Sequence, residues 1–263
     1  RSLLRGAVQP HWQVELFDAT SAYGLITLHG PNSRAILQAL SGDDLSNAAF
    51  PFGAAREIDL ANARGWAIRR SFLGELGYEL LIPTEFVAHV HQALETAGLP
   101  LGLRPAGMFA LGSCRLEKGF RHFGHDIGEE DTPLEAGLGF AVDFRKPDFI
   151  GRAALLAQKA AHPVPVNRTV ALRLDGATAE AGPYLIHNEP VWKDGVLVGH
   201  VTSGGWGWRL GAMFGLASLH RDGGVTKAWL EEGGFTVQVA GVHHPATVQL
   251  PGFHDPAGEI MRG

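Results

Sequence analysis

The sequence predicts an α+β region followed by an all-β region. Strand-like and helix-like stretches alternate through residues 1–160, whereas short β-like runs separated by glycine or aspartate turns fill residues 168–263. The segment AHPVPVN between them, residues 161–167, contains two prolines and is typical of a linker. Glycine accounts for 35 of the 263 residues, which favours many tight turns over a long helical bundle.

The first region combines strand periodicity with capped helical stretches. Trp12, Val14 and Leu16 alternate with polar residues, which predicts a first strand. Pro31 is placed to open a helix whose apolar stripe ends before Gly42. Further strands are predicted at 23–29, 55–60, 66–72 and 78–82. Helices are predicted at 106–117, after the cap Asp148 as far as Lys159, and between the cap Thr84 and Gly98, which lies just past the helix end.

The second region consists of short β-like runs. Turns such as KDG, RDGG and EEGG separate these runs at close intervals, which is typical of a small β-sandwich or barrel. The predicted strands are 169–174, 191–192, 196–202, 213–219, 236–240 and 246–250.

Charge and composition disfavour several classes of protein. The 22 Lys and Arg against 27 Asp and Glu give a net charge of −5, which disfavours a broad nucleic-acid-binding surface. No run approaches the roughly 18 to 20 apolar residues that span a bilayer, and the first residues lack the apolar core of a signal peptide. The single cysteine, Cys114, excludes an intramolecular disulfide framework. We therefore expect a cytoplasmic protein, or one of the mitochondrial matrix if the source is eukaryotic.

The segment SFLGELGYELLIP places Glu75 on a glycine-flanked turn between two predicted strands. A carboxylate on such a turn can approach a ligand closely and accept paired N–H donors from the edge of a heterocycle such as a pterin. The alternative, which the pattern alone favours, is a turn glutamate exposed to water.

Arg115 lies on a predicted helix, in GSCRLEKGF. Its guanidinium can pair with a buried carboxylate or with an anionic ligand tail, because the two groups match bidentately. A structural ion pair with Glu117 or Glu135 is the other interpretation.

The segment RHFGHDIGEEDTP offers His122, His125 and Asp126 as candidate metal ligands. No companion HExxH element exists, and 13 histidines make chance pairs frequent. We therefore predict no metal site here or at the histidine pair 243–244.

The segment GHVTSGGWGWRLG is predicted to be a glycine-rich loop carrying Trp206 and Trp208. The tryptophans either form a stacking wall over a flat ligand or fill the core of the second region. The glycines do not match the phosphate-binding GxxxxGK[ST] pattern, and no GxGxxG opens a helix after a strand, so nucleotide phosphate binding is poorly supported.

Taken together, several segments resemble the glycine-cleavage T-protein (aminomethyltransferase) family. The similarity covers nearly the whole chain and is most specific over residues 126–155. The C-terminal HDPAGEIMRG is most similar to the fused form, the folate module of dimethylglycine and sarcosine dehydrogenases. The segments that follow the family's order are HGPNSRAILQAL, DDLSNAAFPFGAAREI, SFLGELGYELLIP, RLEKGFRHFGHDIGEEDTPLEAGLGFAVDFRKPDFIGRAAL and GHVTSGGWGWRLG.

The resemblance implies a fold and a set of site residues. Residues 1–160 would be an N-terminally incomplete folate-binding region of antiparallel sheets with flanking helices, and residues 168–263 a small β-barrel domain. Tetrahydrofolate would be the cofactor. Glu75 would hold the donor edge of the pterin, Tyr78 would line its pocket, Arg115 would lie near the folate, and Trp206 would belong to the family's TSG loop.

The resemblance also implies a function and partners. The chain would capture the one-carbon unit released when a flavin-dependent amine dehydrogenase domain or subunit oxidises an N-methyl amine such as dimethylglycine or sarcosine. The family's catalytic aspartate belongs to a stretch that precedes the position matching Arg1, so no catalytic residue is assigned. No dinucleotide-binding βαβ unit is evident, so FAD is not expected on this chain. A folate-dependent O- or S-demethylase, a non-catalytic folate-binding module and a homo-oligomer stay open as alternatives.

Overall fold

The computed structural model describes residues 1–250 and 252–263, which form two compact units. Unit 1 comprises residues 1–71, 75–104 and 261–263, and unit 2 comprises residues 72–74 and 105–260. The helices are α1 (Ser2–Ala7), α2 (Ser33–Ala39), α3 (Val87–Gly98), α4 (Met108–Lys118), α5 (Arg152–Ala161), α6 (Lys227–Glu231) and α7 (Glu259–Arg262). The predicted linker at 161–167 stays a prediction; residues 162–166 connect α5 to the strand that begins at Asn167.

Unit 1 is built on a four-stranded antiparallel sheet with the order β1-β4-β3-β2. Apolar residues of α2 and α3 pack with those of the strands into one core, so these helices cover one face of the sheet. Positions alternate between that core and the opposite face, as strand geometry requires. The strands are β1 (Tyr23–His29), β2 (Ala55–Leu60), β3 (Ala63–Ile68) and β4 (Gly77–Pro83).

Two strand predictions in unit 1 need correction. Residues 12–16 lie in an irregular, largely exposed segment, because their apolar side chains have no sheet to pack against among the described residues. β3 begins three residues earlier than predicted, because the hairpin turns on only two residues, Ala61 and Asn62. Both have positive φ, 50° and 66°, which allows the tight turn.

Two helix caps were also predicted wrongly. Thr84 does not cap α3; its hydroxyl donates to the carbonyl of Ser21 at 2.8 Å, and a 3-10 turn precedes the helix. Asp148 does not begin α5, because Gly151, at φ 90°, precedes the first helical residue, Arg152. Glycine there allows a backbone conformation that a residue with a side chain rarely adopts.

Unit 2 contains a closed six-stranded antiparallel barrel with the order β10-β5-β8-β7-β6-β9. This confirms the predicted fold class and decides between sandwich and barrel. The strands are β5 (Asn167–Leu174), β6 (Pro190–Lys193), β7 (Val196–Gly207), β8 (Ala212–His220), β9 (Phe235–Val239) and β10 (Val242–Gln249).

Helix α4 packs on the outside of the barrel. Val170, Leu172 and Leu174 of β5 point into the barrel core, whereas Ala171 packs outside with Leu116 of α4. Burial on both faces explains why Thr169–Leu172 of β5 are buried consecutively instead of alternately. The packing fixes α4, and with it the chain that follows Lys118, on the wall formed by β7 and β8.

Candidate functional site

Glu75 lies in the bend that connects β3 to β4, as predicted. Its backbone N–H donates to the hydroxyl of Ser71 at 3.1 Å, which fixes the bend locally. Gly74 precedes it at φ 76°, a conformation that favours glycine. The side chain is half-buried, so it is not the fully exposed turn glutamate of the alternative interpretation.

Tyr78 lies in the helix-covered core of unit 1. Its side chain is fully buried, its ring lies 5.8 Å from that of Phe50, and its hydroxyl accepts a hydrogen bond from Nε of Arg34 at 3.3 Å. These contacts give Tyr78 a structural role. Its part in lining a folate pocket stays a prediction.

Glu79, on β4, is a second candidate carboxylate in addition to Glu75 in the preceding bend. It points to the face of the sheet opposite Tyr78, is only 15% exposed, and pairs with Arg70. Hydrogen bonding to Glu79 raises the pKa of Arg70 above its usual value. Glu79 is the one charged residue of GYELLIP, and no alternation or motif in that segment marks it as a site residue.

Part of the sheet face that the helices leave uncovered is apolar and aromatic. A groove of about 290 Å³ on this face is lined by Tyr23, Ala55, Trp66, Ile68 and Leu81. Glu79 lies on the same face, because it is the register partner of Ile68. An aromatic groove beside a half-buried carboxylate suits a flat ligand that carries N–H donors on one edge.

Arg115 pairs with a buried carboxylate in unit 2, and the partner is Asp126. Nη1 of Arg115 lies 2.6 Å from Oδ2 of Asp126 and also donates to the carbonyl of Phe120 at 3.1 Å. The two predicted structural partners are wrong because both acids are engaged elsewhere. Glu117 accepts from the N–H groups of Arg209 and Leu210, whereas Glu135 accepts from Thr132 and Asn167.

Asp126 connects the loop after α4 to strand β7. Oδ2 also accepts from the N–H of His122 at 2.8 Å, and Oδ1 accepts from the hydroxyls of Thr202, at 2.8 Å, and Ser203. The two hydroxyls lie where the register of β7 against β8 shifts between Val201 and Ser203. The carboxylate of Asp126 therefore accepts hydrogen bonds from four donors, and two of these bonds fix the hydroxyls of the TSG residues Thr202 and Ser203.

Trp206 and Trp208 have different environments, although the sequence interpretation treated them alike. The segment is not a loop up to Gly207: Trp206 belongs to β7, is half-buried and packs against the barrel core. Trp208 lies in the following turn and is 75% exposed, with its ring 6.4 Å from that of Trp206. Trp206 thus contributes to packing, and its predicted contact with folate stays a prediction.

The histidine-rich segment forms no recognisable metal centre. The rings of His122 and His125 lie 6.3 Å apart, and His125 lies 5.0 Å from His187. Within residues 1–250 and 252–263, no group of three or more His, Cys, Asp or Glu side chains is arranged to hold a metal ion. Asp126, the third candidate ligand, is engaged by Arg115 and the β7 hydroxyls.

None of the helices in the described residues is long and apolar enough to cross a membrane.

Comparison with protein families gives two matches in chain order. The model of the GCVT N-terminal domain matches residues 2–146, and the model of the glycine cleavage T-protein C-terminal barrel domain matches residues 167–255. The chain belongs to the glycine cleavage T-protein family. The second match coincides with the closed barrel, which is the fold that this family model describes.

Curated relatives include oxidases, dehydrogenases and aminomethyltransferases. The chain is 41% identical over 249 residues to 4-methylaminobutanoate oxidase (formaldehyde-forming) of Paenarthrobacter nicotinovorans, covering 94% of this chain and 29% of that protein. It is 35% identical to human mitochondrial sarcosine dehydrogenase, in an alignment that covers 95% of this chain and 27% of that protein. It is 36% identical to the aminomethyltransferase of Halothermothrix orenii, in an alignment that covers 80% of this chain and 56% of that protein. The chain therefore spans less than a third of the oxidase and dehydrogenase relatives.

A solved structure supports the fold. The glycine cleavage system aminomethyltransferase T of Bartonella henselae superposes with a TM-score of 0.62 at 19% sequence identity, covering 90% of this chain and 85% of that one. At this identity the likeness establishes the fold of the T-protein relative and not its activity.

Proposed function

We propose that this chain is the tetrahydrofolate-binding, one-carbon-transferring part of an enzyme that demethylates a secondary or tertiary N-methyl amine by oxidation. The observation that carries the proposal is the ordered match to both T-protein family models in a chain that is 34–41% identical to oxidases and dehydrogenases of methylated amines. Dimethylglycine and sarcosine are the substrates named for two of those relatives and are the first to test.

Transfer of the one-carbon unit to folate requires the protein mainly to bind and orient the two reactants. Tetrahydrofolate, when bound, would supply the nucleophilic nitrogens, and the amine-oxidising step would supply the electrophilic one-carbon group. The protein holds the two reactants in position, which makes the addition effectively intramolecular, and it excludes water from the reactive carbon. No catalytic residue of this chain is proposed.

Two carboxylates are candidates for holding the donor edge of the pterin. Glu75 has the glycine-flanked bend that allows close approach, and Glu79 lies beside the aromatic groove of the uncovered sheet face. Each can accept two N–H donors from one edge of a heterocycle. Arg115 is committed to Asp126, so we propose that it supports the site through the position of the TSG residues and not by direct contact.

The partner would be an FAD-dependent amine dehydrogenase domain or subunit. The share of the oxidase and dehydrogenase relatives that this chain covers, 27–29%, leaves room in those proteins for a separate oxidising part. The active arrangement would place the folate site where it receives the oxidised one-carbon unit before it escapes into water.

Calorimetric titration of the 263-residue chain with tetrahydrofolate, without oxygen, tests the proposal. Saturable 1:1 binding is expected. Glu75→Gln or Glu79→Gln should weaken binding at least tenfold, because a charge-assisted hydrogen bond contributes about 1.5–3 kcal/mol. Glu231→Gln is the matched control, since Glu231 is exposed and pairs with Lys227 one helical turn away.

The outcomes separate the parts of the proposal. Loss of affinity in one glutamine variant alone identifies the carboxylate that holds the pterin. Equal affinity in all three variants removes both carboxylates from the site. Absence of binding by the unmodified chain contradicts the proposal that this chain holds a usable folate site.

A further inference from the structure

Two arginines of unit 2 meet at a glycine outside the residues used above. Arg121 follows α4, Arg168 is the second residue of β5, and Gly137 lies between them. A Cβ placed on Gly137 would lie 2.7 Å from Nη2 of Arg121 and 3.8 Å from Nε of Arg168. Both guanidinium groups therefore lie against the bare Cα of Gly137, whose φ of 72° also favours glycine.

Both arginines make few hydrogen bonds for groups with five donors each. Nη1 of Arg121 donates to the carbonyl of Gly119 at 2.9 Å, and Nη1 of Arg168 donates to the carbonyl of Leu134 at 3.3 Å. Nε of each is buried, with no hydrogen-bond partner among the described residues. Buried donors of this kind are normally satisfied, so their occurrence in two adjacent side chains requires an explanation.

The positive charge of this pair is also uncompensated. Within the part of the chain that the structure describes, no carboxylate forms an ion pair with Arg121 or Arg168. Asp126 attracts Arg121 through space, but its oxygens already accept from four other donors. Burial lowers the pKa of both guanidinium groups, and mutual repulsion lowers that of Arg121 further.

We propose that Arg121 and Arg168 form a binding site for an oxyanion, the carboxylate or phosphate group of a small ligand, beside Gly137. The planar forks of two guanidinium groups match the oxygens of either group, and an anion between them removes their repulsion. The missing side chain at position 137 lets the two forks approach one another. Each arginine is only partly buried as a whole residue, although its Nε is buried. The site is independent of the proposed folate chemistry.

Titration with inorganic phosphate and, separately, with glutarate tests this site and distinguishes the two sources of an oxyanion. Binding heat and melting temperature are measured for the full chain without folate, with sodium chloride adjusted to hold ionic strength constant. Saturable binding of at least one of the two anions is expected. Arg121→Gln and Arg168→Gln should each weaken it about tenfold or more, as expected for loss of a charge-assisted contact.

Arg145→Gln is the matched control, because Arg145 is 91% exposed and pairs with Asp143. Saturable binding that is lost in Arg121→Gln and Arg168→Gln and kept in the control supports the site, and the anion that binds identifies the source. Equal responses in all variants mean a general salt effect and overturn the proposal. Absence of saturable binding by the unmodified chain overturns it whether or not the variants fold, and it leaves the proposed folate binding untouched.

Discussion

Nη1 of Arg115 lies 2.6 Å from Oδ2 of Asp126, and the carboxylate is completely inaccessible to water. Helix α4, the loop at 119–126 and the bulged part of β7 all converge on this one pair, because Thr202 and Ser203 donate to the other oxygen. A buried ion pair is costly to desolvate, but once formed it is more costly to break by removing one partner.

Asp126→Ala should lower the free energy of unfolding by about 3–5 kcal/mol, because it leaves the Arg115 guanidinium buried and unpaired. Urea denaturation measures the change. Asp175→Ala is the control: Asp175 pairs with Arg173 on the surface, both about half-exposed, and a change within about 1 kcal/mol is expected. Similar losses in both variants would mean that Asp126 has no special structural role.

Gly77→Ala should destabilise unit 1, because the new Cβ would clash with Nδ1 of the cross-strand residue His29. Overpacking of this kind costs about 1–3 kcal/mol. The double variant with His29→Ala should recover much of the loss in thermal denaturation. Gly6→Ala is the control, since nothing lies within 4 Å of that Cβ position. A double variant no more stable than Gly77→Ala alone would contradict the steric explanation.

Acid should weaken unit 1 through His29. Burial lowers the pKa of His29 below its ordinary value, and attraction by Glu79 offsets part of the effect. In the unfolded state the imidazole of His29 has its ordinary pKa of about 6.5. Once the pH falls through that value, the unfolded state therefore binds more protons at His29 than the folded state does. The stability that His29 contributes is thus present above about pH 6.5 and is lost below it, down to the folded-state pKa.

The free energy of unfolding, measured by urea denaturation at about pH 7.5 and about pH 5.5, tests the effect of His29. His29→Gln should show a smaller loss between the two values than the unmodified chain. An equal loss in both would assign the pH dependence to other groups.

The two tryptophans of the TSG segment should respond differently to substitution. Trp208→Ala should change the free energy of unfolding by no more than about 0.5 kcal/mol, because the ring is mostly exposed. Trp206→Ala removes a ring that packs against the barrel core and should cost clearly more. Chemical denaturation of both variants measures the difference, and a larger loss in Trp208→Ala would contradict the assigned environments.

The sequence alone was sufficient to predict the strands whose residue pattern is local. β1 and β2 have the predicted bounds, and the six β-like runs of the second region each became a strand, because alternation and glycine turns report directly on a sheet. The strand predicted at 12–16 failed for a non-local reason: alternation makes a strand only where another strand is available to pair with it.

The sites were less predictable, because partners distant in sequence decide them. For Arg115 the sequence left three alternatives open, namely a buried carboxylate, an anionic ligand tail, and a structural pair with Glu117 or Glu135. The structure pairs it with Asp126, eleven residues further along the chain. Glu79 and the Arg121–Arg168 pair carried no motif at all. Their environments follow from β-sheet register and from the approach of Gly137, and neither is visible in residue spacing.

The closed barrel and the open sheet differ in how they meet other polypeptide chains. Closure gives every barrel strand two neighbours, so its main-chain hydrogen-bonding groups are already used. In the sheet of unit 1, β1 and β2 each have one neighbour. β2 carries three charged residues, Arg56, Glu57 and Asp59, which disfavour the addition of a further strand at that edge. β1 instead exposes two apolar side chains, those of Tyr23 and Leu25. Strand addition, whether it serves recognition or leads to aggregation, is therefore concentrated at the β1 edge.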